Sequence, residues 1–185
     1  MNQGSVRLSV PTAEAMHDLG HDLARLARPG DLIILTGELG AGKTQLAQGI
    51  GEGLDVAGSV ISPTFVLSRI HRSTSDGPAL VHVDAYRLDS EAEIDDLDLE
   101  AYMPVAVTVV EWGEGLAEHL SDNRLEVRIL RADDVEDDTR EVIVTPVGPR
   151  WKDLVSDWEA LVNEDMGRDA QADADASHDQ YAEGD

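Results

Sequence analysis

The sequence predicts an α/β fold, a mainly parallel sheet with helices on both faces and an antiparallel end. Three observations carry this. Short continuous apolar runs, the pattern of strands buried on both faces, alternate with segments of helical spacing. One run, residues 31–37, passes through a glycine-rich turn directly into an amphipathic segment. After Arg124 the period changes to two: residues 125–130 and 141–147 alternate, and the acidic stretch 132–138 joins them, which predicts a hairpin.

Taken in order, residues 5–10 alternate as a short strand. Pro11 and Thr12 open a helix with Met16, Leu19, Leu23 and Leu26 on one face, and Pro29-Gly30 stops it. Residues 31–37 form a buried strand, followed by the glycine turn and a helix with Leu46, Ala47, Ile50 and Leu54 inward. Residues 65–71 and 80–86 read as strands separated by the polar turn 73–78, and 91–99 as a short acidic helix. Residues 105–110 are a buried strand ending in Glu111-Trp112-Gly113, and 116–120 add a helical turn. Trp151, Leu154, Val155, Trp158, Leu161 and Val162 have the spacing of a closing amphipathic helix, with its tryptophans in the core.

A chain of 185 residues without internal repeats fits one domain, here residues 1–162. Residues 163–185 hold eight Asp/Glu against one Arg, and from Asp169 on no large apolar side chain precedes Tyr181, the composition of a disordered acidic tail. The absence of cysteine excludes disulfides, thiolate-held zinc and thiol chemistry. The first residues lack the features of a signal peptide, and no apolar run approaches the roughly 20 residues that span a bilayer, so a cytoplasmic location is expected. The net charge of −24, of which −17 lies on residues 1–162, repels nucleic acid and anionic lipid. Lysine occurs only at Lys43 and Lys152. A chain so sparing of lysine has a reason for Lys43.

That reason is the stretch Gly37-Glu38-Leu39-Gly40-Ala41-Gly42-Lys43-Thr44, which fits the phosphate-binding pattern G-x-x-x-x-G-K-[ST] between a buried strand and a helix. Such a loop curls consecutive backbone N–H groups around phosphate oxygens, and the helix N-terminus adds about half a positive charge. Lys43 reaches the β- and γ-phosphates, and Thr44 offers a hydroxyl to Mg²⁺. The fold class is thereby a P-loop NTPase-like sandwich. A triphosphate site also needs carboxylates at the ends of buried strands, and Asp84 and Glu111 both qualify. Spacing does not say which meets the metal and which orients water. His82 reads as a packed strand histidine, and Arg87 suits either a phosphate or the neighbouring acids. Ser62-Pro63-Thr64-Phe65 lies where a nucleotide-sensing connection or a plain proline turn would sit. No Asn-Lys-x-Asp guanine reader occurs, which favours ATP.

The phosphate loop (37–44), Ser-Pro-Thr-Phe (62–65), His-Val-Asp-Ala-Tyr-Arg-Leu (82–88) and Val-Glu-Trp-Gly-Glu (110–114) follow one another in order. Together they resemble the TsaE (YjeE) family of small P-loop ATPases over about residues 5–150. The resemblance implies a Mg²⁺-dependent ATPase required for threonylcarbamoylation of the tRNA adenosine next to the anticodon, acting with TsaD and TsaB and touching tRNA only through them. It implies Lys43 for the phosphates, Thr44 and Glu111 for magnesium, Asp84 as a second acidic residue, and Thr64 as the switch hydroxyl. It also implies Trp112 beside the nucleotide, with Thr12, Ala13 and Arg131 near the base. Two other readings stand beside it. One is an independent small-molecule kinase, although the regions where a basic lid would sit are acidic. The other is a nucleotide-gated binding module without hydrolysis.

Overall fold

The computed structural model describes residues 4–63, 66–131, 138–152 and 154–155. Its single sheet has seven strands: β1 (Val6–Val10), β2 (Leu32–Gly37), β3 (Ser68–His71), β4 (Ala79–Asp84), β5 (Ala106–Glu111), β6 (Arg124–Arg131) and β7 (Arg140–Val147). Their order is β1-β7-β6-β2-β5-β4-β3. The four central strands β6, β2, β5 and β4 run parallel. Antiparallel pairings flank them, β6–β7 and β7–β1 at one edge and β4–β3 at the other. The parallel centre explains the unbroken apolar runs, since β2 and β5 bury side chains on both faces.

Helices α1 (Ala13–Leu26) and α2 (Lys43–Gly53) cover one face. There Met16, Leu23, Leu46 and Ile50 meet Ile33, Leu35, Val107, Val109 and Val127, and Trp151 and Val155 close the same core. The opposite face of β2, β5 and β4 packs against α3 (Glu91–Asp95) and short 3-10 turns, through Ile94, Leu99, Met103 and Ala117. Trp151 and Val155 thus hold the core positions expected of the closing helix. Trp158, Leu161, Val162 and the acidic tail lie outside the described residues.

Three boundaries differ from the sequence reading. The acidic helix expected over 91–99 stops at Asp95, and a 3-10 turn resumes at Leu99. Asp95, Asp96 and Asp98 crowd the negative end of the helix dipole, and Asp98 has φ 52°, which breaks the helix. The strand expected from residue 65 begins at Ser68, because the amides of Val66 and Leu67 both bond the Pro63 carbonyl and Leu67 is left-handed at φ 63°. The strand expected to reach Tyr86 ends at Asp84, whose carboxylate accepts the Tyr86 amide at 3.0 Å and turns the chain.

Helices α1 and α2 touch backbone to backbone. A Cβ added to Gly49 would lie 1.9 Å from the His17 carbonyl oxygen, and one on Gly20 would lie 2.2 Å from that of Leu46. Helix propensity alone would favour Gly49→Ala by ~1 kcal/mol. The overlap is with backbone that cannot rotate away, so sterics win. We expect Gly49→Ala to destabilise the fold by about 2 kcal/mol, a fall in Tm of roughly 4–8 °C in a thermal melt. An unchanged or raised Tm would show that the two helices slide apart freely.

At the other end of the sheet, the buried Asp31 accepts from the Arg28 amide and from Arg150 Nη2, both at 2.9 Å. Arg150 also donates to the Leu26 carbonyl at 2.7 Å. This fixes the start of the closing segment under α1. Burial raises the Asp31 carboxyl above its ordinary range, and Arg28 and Arg150 oppose that rise.

Candidate nucleotide site

The loop between β2 and α2 lies at the carboxyl end of the central strand. Gly42 caps α2 with φ 115°, a left-handed conformation that an L side chain adopts only with strain, and supplies no side-chain cap. The first amides of α2 therefore face the loop. Met16 of α1 packs on Gly42, and the Ile129 carbonyl of β6 abuts Gly37. Thr12 and Ala13 lie one turn before Met16 at the start of α1, and Arg131 lies two residues beyond Ile129 at the end of β6. Thr12 Oγ1 accepts the Ala15 amide at 3.0 Å as the N-cap of α1, while Ala13 and Arg131 are exposed.

Lys43 is only 4% exposed. Its Nζ donates to the carbonyls of Gly37 at 2.7 Å and Glu38 at 2.8 Å, and lies 3.8 Å from the centroid of the Trp112 ring. Trp112 has φ 61°, rare for a bulky residue, with its amide bonded to the Leu35 carbonyl at 2.8 Å. Tyr86 leans on the indole at 5.0 Å. Burial lowers the pKa of the Lys43 ammonium, and Glu111 and Asp84 pull it back up.

Strands β4 and β5 lie in parallel register with Asp84 opposite Glu111. Thr44 Oγ1 donates towards both oxygens of Glu111, at 3.2 and 3.1 Å. His82 Nε2 bonds Glu111 Oε1 at 2.8 Å, and both side chains are buried. Asp84 accepts from Ser62 Oγ at 2.6 Å as well as from the Tyr86 amide. The two acids thus have different partners: Glu111 meets the loop threonine, and Asp84 meets Ser62. A hydroxyl and two carboxylates gathered at a phosphate loop are hard oxygen donors, the set that fits Mg²⁺. Thr64 lies outside the described residues.

Sequence reading placed the loop residues, both acids and Trp112 in one locality, and they are together. His82 is the packed strand histidine expected from the sequence, while the Ser62–Asp84 and His82–Glu111 bonds were not foreseen. The signal for the latter was present, since His82 and Asp84 share a strand face by parity.

This fold and loop define a protein of the P-loop NTPase-like class. Residues 10–142 match the family model described as threonylcarbamoyl adenosine biosynthesis protein TsaE. The chain is 56% identical over 138 residues to the tRNA threonylcarbamoyladenosine biosynthesis protein TsaE of Streptomyces coelicolor, covering 74% of this chain and 93% of that one. To the Bacillus subtilis protein of the same name it is 41% identical over 133 residues, 71% of this chain and 79% of the relative. The crystal structure of Bacillus subtilis YdiB superposes with a TM-score of 0.68 at 30% identity, covering 86% of this chain and 97% of that one. The chain belongs to the TsaE family. Among the described residues, no helix is long and apolar enough to cross a membrane.

Proposed function

We propose that this protein is a Mg²⁺-dependent ATPase that serves tRNA threonylcarbamoyladenosine biosynthesis, the process its family belongs to, in a complex with TsaD and TsaB homologues. The observation that carries the ATPase reading is the contact of Thr44 with Glu111 beside Asp84, at the mouth of a loop whose lysine is already drawn inward. In this reading the amides of residues 38–44 wrap the phosphates, and Lys43 Nζ exchanges the Gly37 and Glu38 carbonyls for phosphate oxygens. Thr44, Glu111 and Asp84 would hold Mg²⁺, which would offset the charge of the triphosphate. One acid orients the water that attacks the γ-phosphorus, and the Pγ–O bond to ADP breaks. Arg131, Thr12 and Ala13 border the base. The test is release of phosphate from ATP by the purified protein, with and without magnesium and partners. Magnesium-dependent release is expected; none under any condition would refute hydrolysis.

The Ser62–Asp84 bond ties the connection before β3 to the acids, a route by which hydrolysis can alter the protein's surface. That surface is apolar beside the loop: Leu39, Ile61, Val66 and Tyr86 are all more than half exposed. Exposed apolar residues grouped at one site suit a protein partner better than RNA. With −24 on the whole chain, we expect no salt-sensitive retention of tRNA by the isolated protein in filter binding near physiological salt. Tight retention there would move RNA contact onto this subunit. Without the guanine-reading sequence, unlabelled GTP should compete for the site less effectively than ATP. Equal competition would contradict a base-selective site.

A further inference from the structure

We propose that His82 is a positioning residue for Glu111, holding its carboxylate in the orientation the metal side of the site requires. The inference rests on the reading of Glu111 as the carboxylate on that side. Glu111 is 2% exposed, and a buried ionised carboxylate must find hydrogen-bond donors. Among the described residues two side chains donate to it, Thr44 Oγ1 and His82 Nε2. The threonine hydroxyl is the one that magnesium would recruit. The hold on Glu111 that does not depend on the metal is therefore the imidazole.

The place of His82 supports this. It is fully buried in the middle of β4, flanked by Val81 and Val83 and opposite Val109 of β5. Its Nδ1 finds no hydrogen-bond partner among the described residues. A histidine present only for packing would carry that orphaned nitrogen at a cost that valine or leucine would avoid. Among the described residues the one polar bond the ring makes is to Glu111, and because an ionised carboxylate only accepts, Nε2 carries the proton. A ring so enclosed cannot turn away, so it sets which edge of the carboxylate faces Thr44. Partners of this kind behind a metal-side ligand typically change metal affinity or activity 10–100-fold when removed.

The pair His82→Gln and His82→Asn separates reach from packing. Both place an amide of similar size and polarity in the core. A glutamine N–H extends to the position of Nε2, and an asparagine N–H falls short of Glu111. The measurements are calorimetric ATP affinity across a magnesium series, kcat and KM for hydrolysis, and Tm, each on the full chain beside wild type. His82→Asn should raise the half-saturating magnesium or lower kcat 10–100-fold, and His82→Gln should recover most of that loss at a similar Tm. Asparagine and glutamine variants that respond to magnesium alike, whether both like wild type or both impaired, would overturn the assignment while the site reading stands. Wild-type protein whose ATP binding and hydrolysis ignore magnesium would overturn the reading of Glu111 and this assignment with it.

Discussion

Glu111→Gln should retain nucleotide binding and lose ATP hydrolysis by about 10²-fold, the upper end of the range for disturbing a metal-side ligand. The substitution keeps the side chain's length and its hydrogen bonds to Thr44 and His82 remain possible through the amide oxygen. What disappears is the negative charge where the metal-side carboxylate sits. Binding should survive because the loop amides and Lys43 keep their places, although Lys43 loses the Glu111 charge that supports its ammonium. The same experiment on Asp84→Asn asks a different question. Asp84 accepts from Ser62 Oγ and the Tyr86 amide, so its loss strikes both the metal side and the 62–65 connection. A defect in hydrolysis is expected there too, with a change in how partners respond to ATP. Single-turnover phosphate release separates the two, and wild-type rates in both variants would refute the site.

Lys43→Ala should lower ATP affinity by roughly tenfold to a hundredfold, since a charge-assisted bond to phosphate contributes ~1.5–3 kcal/mol. The fold should survive. Among the described residues Lys43 Nζ bonds the Gly37 and Glu38 carbonyls and lies over Trp112, and no ladder bond of the sheet depends on it. Burial already disfavours its charge, so its removal takes away a desolvated cation as well as two hydrogen bonds. Titration calorimetry gives the affinity, and unchanged affinity would place the phosphates elsewhere.

The parts of this protein that were legible in its sequence are those written in local pattern. The phosphate loop has fixed residues at fixed spacing, and the central strands announce themselves as apolar runs because parallel strands are covered on both faces. The positions of Asp84 and Glu111 follow from the same fact, as each is the last residue of such a run. What stayed hidden depends on how elements meet. That Glu111 and not Asp84 reaches Thr44 follows from where α2 crosses the sheet, which no local window contains. The backbone contact of Gly20 and Gly49 is likewise a property of two helices together. The left-handed Trp112 runs against its own propensity and is held by tertiary bonds, so the sequence argues against it. The acidic helix shows the opposite failure. Its composition favoured helix, but its own charges at the C-terminal end shortened it.

The proposed function requires ATP turnover at Lys43, Thr44, Asp84 and Glu111 to drive the tRNA modification of this family. The most direct measurement is reconstituted threonylcarbamoylation of tRNA with TsaD and TsaB homologues, followed over many turnovers in the presence of this protein. With wild type and ATP, modified tRNA should accumulate well beyond one equivalent of complex, and with Glu111→Gln it should halt near a single round. Equal accumulation with wild type, with Glu111→Gln and with the protein left out would contradict the account.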